Sequence, residues 1–437
     1  MKRTMIAAFL LCGIFTAYGQ TPLRLTLDDA LAIALSDNPM VKVADEEITR
    51  SEYAKKGTYA ALFPTIDLSA DYQRTIRKQT MYMDTGTGEA NKIEVGMSNT
   101  WSGGLNASMP LIAPSTWKSL RISGMDVELA VEKARSSRIG MIEQVTRAFY
   151  GVLLAQDTYA VYREAYDNAV ENKQDVQRKF DVGSTSEYEL IRADVQVRNA
   201  EPNVYESEHA LALAEWQLKA LLGMDLDREI ACAGTLSDHT GEMAWTRVEI
   251  SLGDNSDLKQ LDIQERQLEK TIEMQRAANY PTLNLTFNYQ WISTNNDFKF
   301  SSYQWNPYGV AGLSLNVPLF AGGKRRHEVR QAKSSLRQLQ LQREDTERNL
   351  QVEWMQYRNA MTTSVRQYEA AQASVGEAQK GYDIAVKRYQ VGSGTQLEVN
   401  DAQLQLTQAQ LARNQAIYDY LTSGASLDAL SGKYENK

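Results

Sequence analysis

The stretch RKFDVGSTSEYEL, residues 178–190, returns 209 residues later as KRYQVGSGTQLEV, residues 387–399. Gly183 and Gly392 stand where a helix-ending glycine takes the left-handed conformation. The polar runs Ser184–Ser186 and Ser393–Thr395 are expected to offer N-cap oxygens to a returning helix. Both copies therefore read as turns of helical hairpins. Upstream of the first copy, residues 115–180 contain no proline, and 66 helical residues rise about 99 Å. Residues 322–391 precede the second copy in the same way. Positions seven apart run Val145, Val152, Tyr159, Tyr166, Lys173, Phe180 in one arm and Met361, Tyr368, Val375, Tyr382, Tyr389 in the other. Shifted by 209 the two series superpose, and a seven-residue spacing favours left-handed coiled-coil packing.

Shorter helices are expected over 28–62, 187–222, 254–279 and 395–430, with a kink at Pro202. A short helix pair then matches one long arm in length. Residues 223–253 form a linker read as an equatorial band. The halves divide as a leader over 1–19, a first repeat over 20–222, this linker, a second repeat over 254–432 and a tail over 433–437.

Outward again, AALFPTIDLSADYQ (60–73) recurs as AANYPTLNLTFNYQ (277–290), now 217 residues apart. Each opens a strand hairpin, 64–110 in the first repeat and 281–318 in the second. Alternation puts Ile66, Leu68, Ala70 and Tyr72 on one face against Asp67, Ser69, Asp71 and Gln73. The same pattern holds over 101–109, 282–291 and 308–317. Strands of about 9–11 residues with aromatic ends fit a membrane, where the opposite, small polar face lines water. Four strands fall short of the eight or so that close a membrane barrel, and lipid does not tolerate open edges. The chain is therefore expected to oligomerise, with polar outer loops over 75–99 and 293–307.

MKRTMIAAFLLCGIFTAYGQ has the basic, apolar and small-residue zones of an export leader cleaved after Gly19. Cys12 lies inside its apolar run and does not match a lipid-attachment motif. The net charge is −8 and becomes −10 without Lys2 and Arg3. An acidic chain with no basic aromatic stripe excludes nucleic acid as partner. Only Cys232 remains after cleavage, so no internal disulfide is expected. No GxSxG, HExxH or phosphate-binding lysine loop occurs, and His209, His239 and His327 are scattered. The reading is a non-enzyme without cofactor or metal: an export duct, with a barrel-anchored coiled-coil stalk or a periplasmic binding scaffold as the alternatives. Glu398 and Asp401 share a helix face above the second tip, with Glu189 equivalent in the first. In a symmetric assembly around a lumen these carboxylates form rings that draw cations.

These residues together resemble the TolC-like outer-membrane efflux family: the FP and YP strand starts, the proline-ended second strands, the VPLFAGGKRR stretch and both VGS tips. The resemblance covers essentially all of the chain after the leader. It implies a mainly α protein with transmembrane β, a homotrimer whose 12-stranded barrel, four strands per chain, continues into a 12-helix coiled-coil periplasmic tunnel. It implies residence in the outer membrane of a Gram-negative cell. It also implies docking to a periplasmic adaptor and, through it, to an inner-membrane transporter of RND, ABC or MFS type. Val182, Gly183, Ser184, Val391, Gly392, Ser393 and Gly394 then form the adaptor-facing tip. By position Glu189, Tyr389, Glu398 and Asp401 match the family's gate, with Tyr188 beside them. Gly394 and Ile417 stand where the best-known member has arginines that fasten the closed tip, so closure around Tyr188 and Tyr389 is the substitute expectation.

Overall fold

In the computed structural model the described residues are 23–84, 90–243 and 251–433; the leader read over 1–19 lies outside them. The alternating segments become β2 (Thr65–Arg74), β5 (Asn99–Ile112), β7 (Thr282–Asn295) and β8 (Asn306–Asn316), numbered along the chain after β1 (Leu23–Leu25). They form one antiparallel sheet in the order β2-β5-β7-β8, so the hairpins of the two repeats join through β5 and β7. The register pairs Leu68 with Leu105, Leu105 with Tyr289 and Leu285 with Leu313, which gathers the apolar residues of all four strands on one face. That face is uncovered: Leu68 is 77% and Leu313 66% exposed. The opposite face carries a polar ladder, in which Asn288 donates to Asn106 and Asn106 donates to Ser69 Oγ at 3.2 Å.

Two glycines are dictated by close approach. A Cβ on Gly104 would meet the Tyr289 carbonyl oxygen at 2.5 Å and Gln290 Cα at 2.7 Å. A Cβ on Gly309 would lie 3.1 Å from the Tyr289 ring, which covers that position across the strands. β5 does not stop before Pro110. It runs on to Ile112 through a register shift, because proline supplies no N–H to the ladder. The segment 75–99, read as loop, contains a separate hairpin of β3 (Gln79–Asp84) and β4 (Ala90–Val95). Its six-residue strands cover no core, so the sequence carries little burial pattern to reveal them.

The chain divides into two compact units, and each draws on both sequence repeats. One gathers the described residues of Val43–Ser137 and Ser251–Val352 and holds the four-stranded sheet and the β3–β4 hairpin. Its helical part contains most of α2 (Pro39–Ala60), the start of α3 (Pro114–Asp181), α5 (Ser256–Ala277) and the start of α6 (Lys324–Gln390). Polar pairs stitch these helices: Lys118 with Glu273 at 2.7 Å, Arg266 with Glu128 at 2.5 Å and Arg343 with Asp262 at 3.0 Å. Lys118 and Lys270 together hold the Glu273 carboxyl down at about 2.

The other unit gathers the described residues of Met1–Lys42, Arg138–Ile250 and Glu353–Lys437. It contains α1 (Leu27–Asp37), α4 (Glu187–Leu222), β6 (Ile230–Cys232), α7 (Gln396–Ser431) and the remainders of α3 and α6. The expected single helix over 28–62 is broken at Asn38, which is extended because proline follows. Its amide donates to Leu221 O and accepts from Met40 N, both at 2.7 Å, locking the break to the end of α4. β1 pairs in parallel with β6 of the linker, and a 3-10 turn over Leu236–Glu242 follows. Leu25, Val145, Phe149, Leu153, Leu218, Leu222, Leu236 and Ile417 converge here as one buried cluster. Each such side chain contributes roughly 1.5–3 kcal/mol by burial. The linker thus has a core function that its glycine-rich composition concealed.

Candidate functional site

The two hairpin turns end α3 and α6 by the same mechanism. Gly183 N donates to Phe180 O at 2.8 Å and Ser184 N to Lys179 O at 2.8 Å, with Gly183 at φ 72°. Gly392 N donates to Tyr389 O at 3.2 Å and Ser393 N to Arg388 O at 2.9 Å, with φ 78°. These are paired 6→1 and 5→2 closures, which satisfy carbonyls the helix end leaves open. The hydroxyls that follow divide the labour differently from the expectation. Ser186 and Thr395 cap α4 and α7 by accepting from Glu189 N and Glu398 N, each at 3.3 Å. Ser184 and Ser393 turn back instead, donating to Lys179 O at 2.9 Å and Arg388 O at 3.3 Å. Val182 and Val391 project from the turns, 78% and 79% exposed. These two valines stand at equivalent places of the repeat, and neither is covered by the rest of the chain.

Above the turns the repeat equivalence breaks. Lys179 and Arg388 are 209 apart, yet Lys179 crosses to the other hairpin while Arg388 stays at its own. Lys179 Nζ lies 4.0 Å from the Tyr389 ring centroid and donates to Tyr389 O at 3.3 Å. Arg388 donates to Ser393 O at 3.1 Å and pairs with Glu398 at 3.4 Å. Gly394 makes room for that pair, since a Cβ there would meet Arg388 Cβ at 3.0 Å and Glu398 Oε2 at 3.1 Å. The two equivalent glutamates diverge in the same way. With the Gln396 amide of α7 assigned so that its nitrogen faces the acceptors, it donates to Glu189 Oε2 at 2.7 Å and to Glu189 O at 3.1 Å. Gln396 is 1% exposed, so this bond is shielded from water. Burial and then the Glu189 carboxylate push the Tyr389 hydroxyl above its ordinary pKa, keeping the ring neutral. Tyr188 is exposed and lies under Arg192, 5.7 Å from the guanidinium. Asp401 faces a groove of about 520 Å3 shared by α3, α4 and α7, with Tyr162, Arg192, Asn199 and Leu404 among its walls.

The structure thus brings Tyr389 and Glu189 together, holds Glu398 in a local ion pair and leaves Asp401 and Tyr188 apart from both. Sequence reasoning missed Lys179, Arg388 and Gln396. The signal was present in the repeat, where Lys179 aligns with Arg388, Phe180 with Tyr389 and Glu187 with Gln396. No group of His, Cys, Asp and Glu able to hold a metal occurs among the described residues. No described helix is long and apolar enough to cross a membrane.

A family model, "Outer membrane efflux protein", matches residues 30–224 and 248–433. The chain belongs to the outer membrane efflux protein family. Among relatives in this family, the outer membrane protein TolC of Vibrio cholerae is 23% identical over 393 residues, covering 89% of this chain and 86% of that protein. The alkaline protease secretion protein AprF of Pseudomonas aeruginosa is 24% identical over 419 residues, covering 93% and 84%. The fold is that of solved outer membrane channels. CmeC of Campylobacter jejuni superposes with a TM-score of 0.73 at 22% identity, covering 94% of this chain and 87% of that one. The open-state MtrE channel of Neisseria gonorrhoeae gives 0.73 at 16% identity, covering 93% and 88%. Family membership places the efflux protein in the outer membrane.

Proposed function

We propose that three copies of this chain form the passive outer-membrane duct of a tripartite efflux or type I secretion system. The observation that carries the reading is the β2-β5-β7-β8 sheet, whose apolar face is uncovered and whose edge strands β2 and β8 have no partner among the described residues. In lipid those edges demand partners. Three chains supply twelve strands, and closure turns the Ser69–Asn106–Asn288 face toward a wet lumen. The helices α3 and α6, 68 and 67 residues long, continue the wall across the periplasm. Relatives named for secretion and for efflux support either kind of cargo.

The tip residues Val182, Gly183, Ser184, Val391, Gly392, Ser393 and Gly394 form the docking surface for a periplasmic adaptor. An inner-membrane transporter of RND, ABC or MFS type supplies the energy. Two links between hairpins, Lys179 to Tyr389 and Gln396 to Glu189, hold the tip shut until the adaptor separates them. Glu398 is partly neutralised by Arg388, so Asp401 and Glu189 set most of the lumen charge, with Tyr188 lining the opening. Reconstitution of the purified chain in planar bilayers tests the reading. A cation-preferring channel is the expected result, and a preparation that never conducts overturns it. Charge removal by Glu398→Gln with Asp401→Asn lowers cation preference, and an unchanged reversal potential removes the carboxylates from the lumen.

A further inference from the structure

At the loop end of the sheet, away from the ends that join helices, two short segments converge. Arg74-Thr75-Ile76-Arg77-Lys78 leaves β2, and Phe298-Lys299-Phe300 lies in the connection from β7 to β8. Lys78 Nζ ties them by donating to Asn296 Oδ1 at 2.8 Å, and the Arg74 guanidinium lies 5.5 Å from the Phe298 ring. The loop aromatics fold over the apolar face. Phe298 is 6.1 Å from Tyr72 and Phe300 is 5.6 Å from Trp101, while Tyr72 and Trp101 themselves pair at 4.4 Å. The patch stays uncovered, with Ile76 98% and Phe300 62% exposed. Arg74, Arg77, Lys78 and Lys299 enter no ion pair with another described residue. The neighbouring Asp297 carboxylate is occupied by Lys299 N at 3.1 Å and Ser302 Oγ at 3.3 Å. In a chain of net charge −8, four cations without an ion-pair partner among the described residues, set among exposed aromatics, fit an anion that arrives with an apolar body.

We infer that this patch binds the phosphorylated glycolipid of the outer leaflet, its phosphates held by Arg74, Arg77, Lys78 and Lys299 and its acyl chains against the apolar strands. Arginine grips phosphate in a fork, and interfacial aromatics with basic residues bind anionic headgroups. Continuity with the uncovered strand face selects lipid over a protein partner. The inference rests on the outer-membrane reading, which puts the loop end outside.

The test uses the full chain in detergent, with bisphosphorylated lipid A, the same lipid A stripped of phosphate, and phosphatidylglycerol as probes. Native mass spectrometry reads the bound lipid. The expected result is retention of the bisphosphorylated probe about tenfold or more above the stripped one. Phosphatidylglycerol competes poorly, and R74Q/R77Q/K78Q/K299Q abolishes the preference while oligomeric mass and conductance stay as in the parent. Equal retention of the phosphorylated and stripped probes by the parent chain overturns the inference without any variant having to fold. So does effective competition by phosphatidylglycerol, or a preference that survives in the quadruple variant. Absence of the chain from outer-membrane fractions contradicts the duct reading and is scored apart from the lipid comparison.

Discussion

Replacing Lys179 by methionine removes one cation and keeps the length of the side chain. The lost interactions are the ammonium–ring contact at 4.0 Å from Tyr389 and the donation to its carbonyl at 3.3 Å. A cation over an aromatic ring contributes about 0.5–1 kcal/mol where water reaches it. A charged hydrogen bond adds about 1.5 kcal/mol at the lower end of its range. Lys179 is only half-buried, and Tyr389 O keeps a bond from Gly392 N at 3.2 Å, so no carbonyl is stranded. The loss is therefore about 1–2 kcal/mol per chain, or roughly 3–6 kcal/mol if the three chains of the proposed trimer open together. At about 1.4 kcal/mol per decade, the closed-to-open ratio falls by roughly two to four powers of ten. Single-channel recording measures this as a rise in open probability without adaptor. Lys179→Arg keeps the ring contact and is expected to record like the parent. A Lys179→Met channel that stays as closed as the parent refutes the assignment of this link to the tip lock.

Other consequences follow from the same geometry. Gly104→Val drives a Cβ branch into the Tyr289 backbone, so β5 and β7 cannot pair; the expected result is loss of β-sheet signal in circular dichroism. Asn38→Ala removes two buried bonds at 2.7 Å and is expected to destabilise the chain by about 1–3 kcal/mol in thermal unfolding. Burial raises the Asp157 carboxyl above its ordinary range against the opposing Leu236 N–H and Arg413. A raised acid stabilises the fold below its unfolded pKa and gives that up as pH rises through the folded value. Asp157→Asn is thus expected to raise the melting temperature at pH 7 and to leave it unchanged near pH 3. Glu273 has the opposite sign, since Lys118 and Lys270 hold it at about 2. Its contribution persists at neutral pH and is lost only as pH falls from about 4.5 toward 2, which acid titration of the parent against Glu273→Gln checks.

The fold was legible wherever one physical period ran long enough. Strict alternation from Thr65 located β2, and the absence of proline located α3 to within a residue or two. The β3–β4 hairpin was hidden because six-residue strands that cover nothing need no alternating burial. The break at Asn38 was available from Pro39, but helical periodicity on both sides masked it. Pairing of β1 with β6 joins residues about two hundred apart by three-residue strands, too short for any pattern to announce. At the tip the glycine turns were readable because left-handed backbone demands glycine. The cross-links were not, since Lys179 and Arg388 are both long cations and only packing decides which one reaches Tyr389. The comparison of repeats held the remaining hint, in Phe180 against Tyr389 and Glu187 against Gln396.

The central claim is that the four strands of each chain close a barrel only with copies of the same chain, around an open bore continuous with the helical wall. A single-particle reconstruction of the purified assembly in lipid nanodiscs tests this most directly. The expected result is threefold symmetry, with β2 of one chain paired to β8 of the next in a twelve-stranded barrel and a water-filled lumen beneath it. A solid helical stalk, or a barrel closed by any other number of chains, contradicts it.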